Sequence, residues 1–78
     1  MKKVAITTEN HIWTYNFSDV KTYTQAKEKL NFLLQKLRDN NSIEIWKYEI
    51  CVYKDWILCY THKQLDNMAT LIRKIVDC

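Results

Sequence analysis

The chain has 78 residues, no glycine, no proline and a formal net charge of +3. About nine glycines and prolines would be usual at this length. Their absence excludes loops that wrap phosphate on their backbone, because close approach and unstrained positive φ need glycine.

The first elements are strands. Val4, Ile6 and Thr8 alternate with smaller or polar neighbours, and Trp13, Tyr15 and Phe17 alternate again. Aromatic and β-branched residues at period two predict a hairpin. Glu9-Asn10-His11 forms its turn, with Asn10 able to take the left-handed region in place of glycine.

Thr22-Tyr23-Thr24-Gln25 reads as a capping box. Behind it Tyr23, Ala26, Leu30, Leu33, Leu34 and Leu37 recur at helical spacing, with Lys27, Glu28, Lys29, Gln35 and Lys36 on the wet side. Asp39-Asn40-Asn41 ends this helix, asparagine standing in for a C-terminal glycine.

Residues 43–53 form a third strand, Lys54-Asp55 the turn, and Trp56–Tyr60 the return strand. Thr61-His62-Lys63-Gln64 reads as a second capping box, which makes His62 a first-turn helix residue. Leu65, Met68, Ala69, Ile72, Ile75 and Val76 continue as an apolar helical stripe. Each half thus holds a hairpin, a T-x-x-Q and a helix, the pattern of a decayed duplication.

The order ββαββα predicts one domain, residues 1–78, of the α+β class. Its architecture is two layers, a four-stranded mostly antiparallel sheet with both helices on one face. Four strands at ~4.8 Å spacing span roughly 19 Å, which two helices ~10 Å wide just cover. The other face stays open. Trp46, Tyr48, Ile50 and Val52 share the side assigned to the core, so Ile43, Ile45, Cys51 and Tyr53 face outward, joined by Ile12. Both parities of the return strand are apolar, and the turn decides which points inward.

The other signals narrow the setting. The apolar run after Met1-Lys2-Lys3 stops at Ile6, too short for a leader peptide, and no stretch is long enough to span a membrane. Three cysteines without a leader suit reduced thiols in the cytoplasm. Lys, Ile, Asn, Tyr and Phe total 31 residues, against 5 for Gly, Pro, Ala and Arg. This bias toward AT-rich codons points to a low-GC bacterium, or to a phage or plasmid within one.

Chemistry-bearing clusters are weak. Cys51, Cys59, His11 and His62 lack the paired spacing of a metal site, so no metal or cofactor is expected. A three-residue hairpin loop would set Cys51 opposite Cys59. Cys59, His62 and Asp66 imitate a nucleophilic triad, but a chain this short and without glycine turns has little room for an oxyanion site. The chain is therefore read as no enzyme. RNA-recognition modules run βαββαβ with a glycine-containing aromatic strand, and neither feature is present.

The expected function is binding. The chain reads as a small regulator or inhibitor that contacts a partner protein, or a second copy of itself, through the open face. Ile45, Cys51, Tyr53 and Trp56 are the expected contacts, since rigid aromatics dominate interface energetics. The alternative is a nucleic-acid-binding module using Lys21, Lys27, Lys29, Lys36 and Arg38 around the first helix.

Overall fold

A computed structural model describes residues 1–40 and 47–78 of the chain. It has six elements: β1 (Lys2–Thr7), β2 (Ile12–Asn16), α1 (Tyr23–Asp39), β3 (Glu49–Lys54), β4 (Ile57–Lys63) and α2 (Met68–Asp77). The strands form one antiparallel sheet in the order β2-β1-β3-β4. The fold is the expected ββαββα, with both helices packed on one face.

The alternation within each strand produces that packing. Val4 and Ile6 of β1 and Ile50 and Val52 of β3 point the same way and are fully buried. They meet Leu30 and Leu34 of α1 and Leu71 and Ile75 of α2 in a single core. Phe17, just past β2, is also fully buried, with the Lys29 ammonium 4.6 Å from its ring centroid. The helices are linked over the core by Arg73 of α2, which lies 5.5 Å from the Tyr23 ring of α1.

Side chains fix where the helices start. The Thr22 hydroxyl accepts from the Gln25 backbone N–H at 3.2 Å, and the Gln25 Oε1 accepts from the Thr22 N–H at 3.2 Å. The first capping box is thus present. The second is not. Thr61, His62 and Lys63 lie in β4, and α2 begins six residues later than the box implied, capped by the Asn67 side chain, which accepts from the Ala69 N–H at 2.8 Å. Sheet pairing overrides the local signal: His62 pairs with Ile50 and is buried, whereas Leu65, expected in the helix stripe, is 92% exposed.

Three smaller expectations also change. The β3–β4 turn is Asp55-Trp56 rather than Lys54-Asp55, because Lys54 pairs with Ile57. Among the described residues only Asp55 and Trp56 have positive φ, so neither Asn10 nor Asn40 takes the left-handed role; Asn41, the other asparagine of the expected helix stop, lies outside the described residues. Asn40 instead closes α1 with φ −90°, its N–H donating to the Lys36 carbonyl. The segment 43–46 of the expected third strand, including Ile43, Ile45 and Trp46, lies outside the described residues.

β4 also explains why both of its parities are apolar. The register slips between Val52 and Tyr53: Val52 pairs with Tyr60 but Tyr53 with Leu58, which leaves Cys59 as the extra residue of a bulge. Tyr60 and His62 turn toward the helices while Leu58 turns to the open face, although Leu58 and Tyr60 have the same parity.

His62 is buried, and its Nδ1 has no hydrogen-bond partner among the described residues. Burial holds its pKa below the ordinary value near 6.5, only partly opposed by the Asp66 carboxylate. The unfolded chain therefore takes up this proton more readily than the folded one. Stability is full above pH ~6.5 and falls as the pH drops through that value. The urea midpoint should decrease between pH 7.5 and 5, above the range where carboxylates titrate, and His62→Leu should remove that decrease. In the core itself, Leu30→Ala should cost about 3 kcal/mol in urea titrations.

Candidate functional site

The face away from the helices carries the opposite parity of every strand. β1 contributes Lys3, Ala5 and Thr7, and β2 contributes Ile12, Thr14 and Asn16. β3 contributes Glu49, Cys51 and Tyr53, and β4 contributes Leu58, Thr61 and Lys63. Neither α1 nor α2 covers these side chains. The face is more mixed than the sequence suggested. Glu49, Thr61, Lys63 and Thr7 make one corner polar, and the apolar groups gather elsewhere.

They gather along a groove of about 240 Å³ that runs over Ala5, from Trp56 and Tyr53 across to Ile12 and Thr14. Met1 and Lys3 complete its wall. Trp56 is 79% exposed and Ile12 69% exposed. The Lys3 ammonium lies 5.1 Å from the Trp56 ring centroid, a cation–π contact that places a positive charge at the groove.

The backbone presents Trp56 at a cost. Asp55 and Trp56 are the two loop residues of the β3–β4 hairpin, with φ of 50° and 70°. Such a turn matches the twist of the flanking strands but requires positive φ at both positions, hence the usual Asn-Gly or Asp-Gly. Aspartate tolerates this region. Tryptophan does not, and a bulky residue there carries on the order of 1–2 kcal/mol of strain. The turn is held from below. The Asp55 N–H donates to the Met1 carbonyl at 2.8 Å, and its carboxylate pairs with the Met1 amino group, which keeps the carboxyl below the usual carboxylate range.

Of the contacts read from the sequence, the structure brings Tyr53 and Trp56 together at the groove. Cys51 is on the same face but half-buried, its sulfur 3.9 Å from the Thr61 hydroxyl, and does not line the groove. Ile45 lies outside the described residues. Sequence reading missed Lys3, Ala5 and Thr14. Their only signal was strand parity in β1 and β2, which was read for the core side alone.

The other constellations come apart. The hairpin loop has two residues and a bulge follows, so Cys51 faces Thr61 and not Cys59. His62 points into the core from a strand, not from a first helical turn. Among the described residues no three His, Cys, Asp or Glu side chains gather as a metal site would require. No helix there is long and apolar enough to cross a membrane.

The basic residues of the alternative do not share a surface. At ~100° per residue, Lys27 and Arg38 fall within about 20° of each other, and Lys29 and Lys36 lie about 180° away. Lys29 is engaged with the Asn16 carbonyl and the Asp19 carboxylate, and Arg38 is half-buried. Lys21 precedes the helix. The outermost stripe of α1 is instead Glu28, Phe32, Gln35 and Asp39.

These features define a two-layer α+β domain with an open sheet face and one aromatic groove. The chain matches no family model, and no curated protein or solved structure matches it.

The strained turn gives a direct test. Trp56→Gly should leave the fold intact and raise stability by about 1 kcal/mol in urea titrations, because glycine takes φ of 70° freely. A loss of stability would mean that the indole contributes more by packing than its backbone costs.

Proposed function

We propose that this protein is a non-catalytic binding module that contacts a partner protein through the groove, with Trp56 and Tyr53 as anchors. The observation that carries the reading is Trp56 itself. A large indole stands mostly exposed at a backbone position that disfavours it, and strained positions cluster where function constrains them. The size of the face supports anchoring. It projects roughly 19 Å by 20 Å, about 400 Å², half of what one partner contributes to a standard interface. Binding over so small an area has to be concentrated on a few rigid aromatics.

The partner's chemistry follows from the groove's lining. Its walls are apolar, and the charged side chain among them is Lys3. The complementary surface is an apolar projection bordered by carboxylates. A role as regulator or inhibitor, an origin in a phage or plasmid of a low-GC host and residence in the cytoplasm are part of the same proposal; the codon bias supports the origin and the free thiols support the compartment.

Selection of a phage-displayed peptide library on the wild-type protein, with the recovered peptides then measured on single variants, tests this. Recovered peptides should pair apolar residues with Asp or Glu. They should lose at least tenfold in affinity on Trp56→Gly and Tyr53→Ser, and keep it on Phe32→Ser, which alters the outer face of α1. Peptides insensitive to Trp56→Gly would overturn the reading. So would a dimer in light scattering that Trp56→Gly dissociates, since the occupant would then be a second copy. A labelled single-stranded oligonucleotide whose binding falls by orders of magnitude between ~50 and ~200 mM salt would transfer the function to the basic residues.

A further inference from the structure

The sheet ends in two outer strands, β2 and β4, and their edges are not alike. Hydrogen bonds at the ends of the β1–β2 ladder fix which backbone groups of β2 point outward. The Phe17 N–H donates to the Lys2 carbonyl at 2.8 Å, and the Thr8 N–H to the His11 carbonyl at 2.9 Å. Both continue the register of the ladder, so the pairs that exchange hydrogen bonds within it are Val4 with Tyr15 and Ile6 with Trp13. The N–H and C=O groups of Ile12, Thr14 and Asn16 therefore point away from the sheet. Among the described residues only the Asn16 carbonyl has a partner there, the Lys29 ammonium. The β4 edge is blunted by contrast. At its end the Lys63 N–H donates to the Asp66 carboxylate at 2.9 Å and the Lys63 carbonyl accepts from the Asp66 N–H at 2.9 Å. Further back, the bulge at Cys59 breaks the ladder. Bulges and covered ends are how sheets protect an edge. β2 has no bulge, no proline and no charged side chain between Ile12 and Asn16.

We infer that β2 pairs with the β2 of a second copy, antiparallel about a two-fold axis through Thr14, so that two chains share one continuous sheet. The strand is complementary to its own image. In this register Thr14 faces Thr14 of the other copy, Ile12 faces Asn16, and Trp13 faces Tyr15. The outward groups of Ile12, Thr14 and Asn16 supply about six hydrogen bonds between the chains. Lys29 takes one lone pair of the Asn16 carbonyl and leaves the second. Trp13 and Tyr15 meet in the pairs without hydrogen bonds, where side chains come closest. Both rings are already held against the core. Aromatic pairs and a threonine pair are among the favourable cross-strand contacts, and no like charges meet along the strand. The axis stands perpendicular to the sheet. Both open faces then look the same way, and the two grooves, each bordered by Ile12 and Thr14, lie side by side.

The contact is roughly 17 Å long and, with a helix layer behind the sheet, roughly 20 Å deep. That is about 300 Å² per copy, against about 800 Å² in a standard interface, so the dimer forms and dissociates with concentration. Sedimentation equilibrium of the full chain from about 10 μM to about 1 mM tests this. The mass should rise from 9.5 kDa toward twice that value. Thr14→Pro should hold the monomer mass throughout and keep the urea midpoint near that of the wild type, because this N–H bonds nothing within one chain and proline is tolerated on an edge strand. Thr14→Lys, which sets two ammonium groups face to face on the axis, should also hold the monomer mass, and it decides the matter if the proline variant does not fold. Trp56→Gly should leave the dimer in place, so failure here and failure at the groove are separable. A wild-type chain that stays monomeric across the range would overturn the inference, as would a dimer that survives Thr14→Lys or one lost on Trp56→Gly. So would a mass that climbs past two copies, since β4 would then pair as well. A selected peptide that binds the monomeric wild-type chain and is lost on Thr14→Pro would give the edge to a foreign strand instead.

Discussion

Burial of the inner side of the sheet is the constraint from which the rest of the molecule follows. Val4, Ile6, Ile50 and Val52 lose all contact with water only because two amphipathic helices lie over them. Among the described residues, that arrangement uses both helices on one layer. The opposite layer is left to its own side chains, and its character depends on what alternation places there. Some of it is polar enough to be wetted harmlessly. The diagonal from Trp56 to Ile12 is not.

The same constraint shapes the chain's symmetry. β1 and β3 lie side by side at the centre, with β2 and β4 outside them, so exchanging the two ββα halves reproduces the strand order. The halves differ in how their helices begin. The first uses Thr22 and Gln25 reciprocally, whereas the second spends its threonine on the sheet and relies on Asn67. The repeated T-x-x-Q was therefore no evidence of repetition, although the topology it suggested is present.

Much of this was legible in the residues. Strict alternation in β1 and β2 and the 3.6-residue stripe of α1 located their elements well, because burial on one side leaves a periodic trace. The start of α2 was not legible. Thr61–Gln64 satisfies a local capping rule, and nothing in the sequence announces that His62 fits the core better opposite Ile50. The bulge at Cys59 was equally hidden, since an apolar residue on each parity reads the same whether the strand is regular or slipped. At the candidate site, Tyr53 and Trp56 were visible as aromatics near a turn. Lys3, Ala5 and Thr14 needed the register of the central strands.

The hairpin turn carries an implication for how the chain would drift. The codon for tryptophan is one base away from a codon for glycine, and the backbone at position 56 would accept that change with relief. Selection for folding alone thus pulls against the indole at every generation. If the groove binds as proposed, a lineage that ceased to use it would shed the ring there long before its core eroded, and close variants holding glycine or asparagine at this spot would mark where the surface has gone out of service.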